Sequence, residues 1–374
     1  MTTNEAGEAP HRWITANQVT ALRILALPFP CWALLARMDA ANTADPVMWA
    51  AFFFGIAVGA TDFVDGWMAR RDGPTTLGAL LDPVADKLFI AMLLLPVVAH
   101  ARCPGWAAGA LFVRELLITS LRSSMSVRKQ SLKTSQLGKL KTVVQMGGIG
   151  VFFLTVFVTP AATMAATIFG LGVAFAVSAA AWWIAKRRLP LWLASAPVLL
   201  FAVFLVAWLS PPERASDHAG AVVFLLMVLF TWVSGADYLW GSARAFRSTG
   251  GVGRGDVLRV LWSFAHGFAL VPLLALEADR TFALQLALPV TVSLSAELSL
   301  GGVENLVAAE RGRFARGSVV PTMLGAVVVG VCAWFDLLPG GAVLVAAWGL
   351  AGLSVLNLAV AFWLDRDVFL TSSR

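Results

Sequence analysis

Four aspartates set the chemistry open to this chain. Asp62 and Asp65 lie three residues apart in DFVDGWMAR (62–70), and Asp82 and Asp86 lie four apart in GALLDPVADK (78–87). On a helix, each spacing puts both carboxylates on one face. A short turn through Gly73 and Pro74 would bring the two faces together. Four carboxylates gathered at the edge of an apolar bundle are too costly to leave without cations or protons. With no histidine or cysteine nearby, an all-oxygen donor set favours magnesium or manganese over zinc, and a phosphate-bearing substrate would complete the shell. Gly66, Ala69 and Gly78 leave room for a ligand to approach the backbone, and Arg70 can pair with a phosphate. The bland alternative pairs the acids with Arg70, Arg71 and Lys87 and makes the small residues packing positions; three cations then serve four acids, which explains the pattern less well.

The elements that hold these residues must be membrane helices. Of 374 residues, 59% are hydrophobic and 13% charged, with a mean hydropathy of +0.78. This composition predicts an all-α, polytopic bundle and leaves no room for a large soluble domain. Apolar runs and polar breaks predict about twelve spans, beginning near Val19, Pro46, Gly78, Gly105, Leu140, Ala162, Leu193, Ala219, Val257, Phe282, Ser318 and Ala342. The polar tail over 1–13 lacks the features of a cleaved signal, so the first apolar stretch is expected to stay as an anchor. With the N-terminus in the cytoplasm, all of the 28 Lys and Arg except Arg37, Arg102, Arg214 and Arg280 fall on that side. Both termini and the acids are therefore expected at the cytoplasmic face, in a bacterial inner membrane. Bases scattered between spans report topology and give no reason to expect a nucleic-acid partner. Cys31, Cys103 and Cys332 lack paired spacing and read as inert membrane cysteines.

The order Asp62, Asp65, Gly66, Ala69, Arg70, then Gly78, Asp82 and Asp86, resembles the signature of the CDP-alcohol phosphatidyltransferases, integral membrane enzymes usually built on six helices. The resemblance implies that Asp62, Asp65 and Asp82 bind two Mg2+ (or Mn2+) ions bridging the pyrophosphate of a CDP-lipid. It implies that Asp86 is the general base and also touches the second metal. Gly66, Ala69, Arg70, Thr75, Gly78 and the stretch from Asn17 to Thr20 would form the CDP-lipid site; a simple helix cap is the other reading of Asn17 and Thr20. The segments RELLITSLR (114–122), GKLKTVVQM (138–146) and SGADY (234–238) resemble the branch of the family that acts on glycerol 3-phosphate. Arg114, Arg122, Lys139 and Lys141 would supply cationic donors to that acceptor's phosphate. The implied reaction transfers a phosphatidyl group from CDP-diacylglycerol to glycerol 3-phosphate, giving phosphatidylglycerophosphate and CMP for phospholipid biosynthesis. Phosphatidylglycerol, as in a cardiolipin synthase, and an inositol phosphate are the alternative acceptors.

The resemblance divides the chain into the tail 1–13, a catalytic membrane domain over 14–246 with an inserted helical hairpin at 160–215, and an accessory four-helix region over 247–374. The glycine- and charge-rich AFRSTGGVGRGD (245–256) marks the last boundary. Beyond it the charges read mainly as loop charges. A weak internal alignment sets Glu304 and Asn305 opposite Asp65 and Gly66 but replaces the other three acids with glycine or proline, so no second metal centre is expected there. This block is expected to stabilise the catalytic half, form a homodimer contact or receive product. A twelve-helix transporter is the rival of a different class; it would need polar residues at mid-membrane in both halves.

Overall fold

The computed structural model describes residues 15–38, 45–73, 75–130, 136–158, 160–275 and 280–370, and among these it is helical without strands. The 1–13 tail, Pro74 and Lys133 lie outside the described residues. The first expected span is two helices, α1 (Ala16–Ala26) and α2 (Pro28–Arg37), because the prolines at 28 and 30 interrupt the backbone ladder. Then follow α3 (Pro46–Asp72), α4 (Thr76–Ala99), α5 (Gly105–Val127), α6 (Gln136–Phe157), α7 (Ala161–Lys186), α8 (Leu191–Leu209) and α9 (Ala215–Ser248). The remainder is α10 (Arg254–Phe264), continued by a π turn and a 3-10 turn to Ala275, then α11 (Arg280–Arg311), α12 (Val319–Trp334), α13 (Gly340–Leu364) and the short α14 (Asp367–Leu370). Pro46 and Gly105 coincide with expected starts, and the largest discrepancies, at Gln136 and Ala215, amount to about one helical turn.

Eight of these segments are long and apolar enough to cross a membrane, which makes the protein an integral membrane protein. Helices α4 and α5 fall outside the eight because each carries three charged residues, Asp82, Asp86 and Lys87 or Arg114, Glu115 and Arg122. α12 falls outside because it is short. Charge in α4 and α5 is tolerable because the bundle surrounds them. α5 is buried along almost its whole length, and its polar Arg114, Glu115, Thr119, Ser120, Ser123 and Ser124 point into protein rather than lipid.

α3 ends at Gly73, whose φ of 92° lies in the left-handed region that glycine adopts without strain. α4 restarts at once, with the Thr75 hydroxyl accepting the Gly78 N–H at 2.9 Å. This tight corner aligns the two acid-bearing faces. α7 and α8 pack on one another as a hairpin, and α8 leans on α9.

The helices beyond residue 250 pack into the first half. α11 lies against α4 and α5, and the turn after α10 lies against α5. Glycines make the approach close: a Cβ on Gly109 would sit 2.6 Å from the Gly267 carbonyl oxygen, and one on Gly105 would sit 2.9 Å from Pro272 Cα. Arg128, counted above as a topological base, donates to both Asp256 oxygens at 3.1 and 2.5 Å and so ties the end of α5 to the start of α10. The expectation that charges in this block lie mainly in loops is corrected. Arg259 grips Glu304 with two bonds of 2.6 and 3.0 Å, and Trp262 Nε1 donates to Glu297 at 2.7 Å, all within the bundle. Read alone, each of these residues resembles an anchor at a helix end; only neighbouring helices show it to be buried and paired.

The approach of α11 to α4 yields a stability prediction. A Cβ at Gly302 would collide with the Val84 side chain on α4, whereas one at Gly349 on α13 has nothing within 4 Å. Gly302→Val is expected to destabilise the protein by about 1–3 kcal/mol through overpacking. Gly349→Ala is expected to be neutral or to stabilise by roughly 0.5–1 kcal/mol. Thermal melts in lipid nanodiscs would check both, and equal melting temperatures for the two variants would contradict the close packing of α11 on α4.

Candidate active site

α1, α3 and α4 carry the acid cluster. Asp65 is 3% exposed, whereas Asp62, Asp82 and Asp86 are half-buried. The buried Thr20 hydroxyl lies 2.8 Å from Asp65 Oδ2 and 3.2 Å from Asp82 Oδ1, so one side chain of α1 spans the acid pairs of both other helices. Three residues later on the same face of α1 comes Arg23, its side chain 1% exposed. Its Nη1 donates to Asp62 Oδ1 at 2.8 Å and to Asp86 Oδ1 at 3.4 Å, and its Nη2 approaches Asp65 Oδ2 at 3.2 Å. From sequence alone Arg23 is expected only as one of the cytoplasmic bases. Its spacing from Thr20 was the available signal.

With this guanidinium interposed, no three Asp, Glu, His or Cys side chains converge on one point among the described residues. The donor set nonetheless suits hard divalent cations: four carboxylates, no nitrogen or sulfur ligand, and a positive charge already balanced at their centre. Arg23 is incompletely satisfied, since its buried Nε and Nη2 make no hydrogen bond of good geometry.

The residues expected at the CDP-lipid site form a patch beside the acids. Thr75 Oγ1 donates to Asn17 Oδ1 at 3.0 Å, and a Cβ on Gly78 would sit 3.0 Å from both oxygens. Only a glycine leaves that cradle open. Arg70 is exposed and lies beside Gly66, with Nη1 3.6 Å from where a Gly66 Cβ would stand; Ala69 closes α3 by accepting the Gly73 N–H at 3.0 Å.

Two cavities flank the cluster. The first, of about 550 Å³, is apolar and runs between α3, α4 and α6 among Phe52, Ile56, Phe89, Ile149 and Phe153, with Asp62 in its lining. The second, of about 700 Å³, is lined by Asp86 and by Lys87, Arg114, Arg122 and Lys141. The expected acceptor residues differ in their engagement. Arg114 is a strut: Nε donates to the Thr231 carbonyl and Nη2 to Ser234 Oγ, both at 2.9 Å, and Nη1 meets Glu115 at 3.2 Å. Lys141 pairs with Glu115 at 2.7 Å. Arg122 is exposed, donates to the Tyr238 hydroxyl at 2.8 Å and covers that ring at 5.0 Å. Lys139 belongs to α6, but its side chain lies outside the described residues. Three further residues line this region without being among the expected acceptor residues: Lys87, which donates to the Thr119 hydroxyl and not to the acids, Gln145, which donates to Thr231 Oγ1, and Asn305 from the far end of the chain.

A membrane helical bundle with an oxygen-only acid cluster between an apolar cavity and a cationic one is the layout of an enzyme acting on a phosphate-linked lipid. A family model described as CDP-alcohol phosphatidyltransferase matches residues 13–178. The CDP-diacylglycerol–glycerol-3-phosphate 3-phosphatidyltransferase of Yersinia pestis (strain Pestoides F) is 37% identical over 142 residues, which cover 35% of this chain and 71% of that protein. A probable phosphatidylglycerophosphate synthase of Mycobacterium tuberculosis (strain ATCC 25618 / H37Rv) is 36% identical over 140 residues, covering 37% of this chain and 65% of the relative. No solved structure matches the chain. The chain belongs to the CDP-alcohol phosphatidyltransferase family and is a transferase of phospholipid biosynthesis.

Proposed function

We propose that the protein transfers the phosphatidyl group of CDP-diacylglycerol to glycerol 3-phosphate, releasing CMP, with the active site and both termini on the cytoplasmic side. One observation carries this reading: Asp62 borders the apolar cavity and Asp86 the cationic one, so a lipid donor and an anionic acceptor would meet at the acids. The apolar cavity suits an acyl chain, and the patch of Asn17, Thr20, Gly66, Ala69, Arg70, Thr75 and Gly78 would seat the cytidine diphosphate. Two Mg2+ (or Mn2+) ions held by Asp62, Asp65, Asp82 and Asp86 would neutralise charge on the pyrophosphate as CMP departs. The chain's own groups do the rest. The acceptor hydroxyl oxygen bonds to the lipid-linked phosphorus while the bond from phosphorus to the CMP oxygen breaks, and Asp86 takes the hydroxyl proton. Arg122, Lys139 and Lys141 hold the acceptor phosphate. Arg114, its nitrogens already engaged, supports them from behind.

The cavity volume favours a second reading. At about 700 Å³ it offers more room than a three-carbon polyol phosphate fills, which keeps phosphatidylglycerol and inositol phosphate as alternative acceptors. Purified protein given CDP-diacylglycerol, magnesium and each acceptor in turn would distinguish them by the product and by CMP release. Arg122→Gln or Lys141→Gln is expected to raise the KM for glycerol 3-phosphate by about 10- to 100-fold, the loss of one charge-assisted bond, with the CDP-lipid KM little changed. Parallel increases in both would point to a folding role for these cations.

A further inference from the structure

The helices after residue 250 lie beyond the matched segment 13–178, yet one of them borders the cationic cavity. Gly302, Asn305, Leu306 and Ala309 of α11 line it together with Asp86 and Lys141. The contact is tight. Gly302 abuts Val84 on α4, and a Cβ on Gly301 would sit 2.8 Å from Thr119 Cγ2, on the residue whose hydroxyl receives Lys87. α11 thus closes against the helix that bears Asp86 and cannot withdraw without opening the chamber.

Asn305 is the polar side chain of this otherwise apolar stretch of wall. Its Oδ1 accepts a 2.8 Å hydrogen bond from Ser123 Oγ of α5, which tethers the carboxamide to α5 and leaves the two Nδ2 hydrogens for another partner. Asn305 is half-buried, and among the described residues its Nδ2 makes no hydrogen bond. A neutral donor adds little to phosphate binding beside several cations. Once an acceptor covers it, however, it distinguishes a hydroxyl from a methylene, because a partner lacking the oxygen leaves it unpaired.

We propose that Asn305 contacts the acceptor and determines its specificity, Nδ2 donating to a hydroxyl of the polyol while the cations of α5 and α6 hold the phosphate. The C-terminal block is then part of the acceptor site. This rests on the reading above that the cationic cavity receives the acceptor.

The test uses full-length protein in nanodiscs. The wild type is first assayed with glycerol 3-phosphate, inositol phosphate and phosphatidylglycerol. The best acceptor is then compared with its deoxy analogue, which for glycerol 3-phosphate is propane-1,3-diol monophosphate, in the wild type, Asn305→Leu and Ser123→Ala. In Asn305→Leu, acceptor kcat/KM is expected to fall about fivefold to tenfold, the loss of one hydrogen bond. The deoxy analogue should be used nearly as well as by the wild type, and the CDP-diacylglycerol KM should stay within about twofold. Ser123→Ala, which frees the carboxamide without removing it, should fall between. Equal losses for acceptor and deoxy analogue, or a parallel rise in the CDP-diacylglycerol KM, would overturn the role of Asn305 while leaving the acceptor reading intact. Failure of the wild type to use any of the three acceptors would overturn that reading and this proposal with it.

Discussion

Asp86→Asn is expected to lower kcat by about 10²- to 10⁴-fold while CDP-diacylglycerol still binds. Asparagine keeps the size of the side chain but cannot take the acceptor's proton. Of the four aspartates, Asp86 is the one that lines the cationic cavity, so it stands nearest to where an acceptor hydroxyl would arrive. Asp65, buried and 2.8 Å from the Thr20 hydroxyl, faces the interior of the cluster, and Asp65→Asn should weaken donor and metal binding as well as turnover. Single-turnover rates, measured beside equilibrium binding of a CDP-lipid, separate the two effects. Near-normal turnover by Asp86→Asn at saturating magnesium would remove Asp86 from the role of base.

The second large effect concerns the cation among the acids. Arg23→Gln is expected to destabilise the protein by about 3–5 kcal/mol in chelator, because removing one partner leaves buried carboxylate charge uncompensated. Added magnesium should recover most of that loss. If these carboxylates hold the ion as proposed, in the wild type it would have to displace the guanidinium from Asp62, Asp65 and Asp86, and in the variant it would meet free carboxylates. The melting temperature of Arg23→Gln should therefore rise more with magnesium than that of the wild type. Melts in chelator and across a magnesium titration check this without any measure of turnover. If magnesium shifts both proteins equally, Arg23 and the metal do not compete for these carboxylates.

The helical segments and the acid pairs are legible in the primary structure, because both are written in short periods. An apolar run of about twenty residues reports its own solvent, and carboxylates three or four apart share a helix face wherever that helix is packed. The turn at Gly73 that joins the two acid faces was legible for the same local reason, whereas the Thr75 cap that restarts α4 was not. The tertiary structure decided what each lone charge does. Arg23, Arg114 and Arg259 look alike in a list of membrane-edge bases, yet one balances the acid cluster, one braces α5 against α9 and one neutralises Glu304. Each partner lies on another helix and often far along the chain. No period in the sequence encodes those pairings, because they follow from which helix packs on which. The same holds for Asn305: its polarity is visible locally, but its place beside Asp86 and Lys141 exists only because Gly301 and Gly302 let α11 close onto α4 and α5.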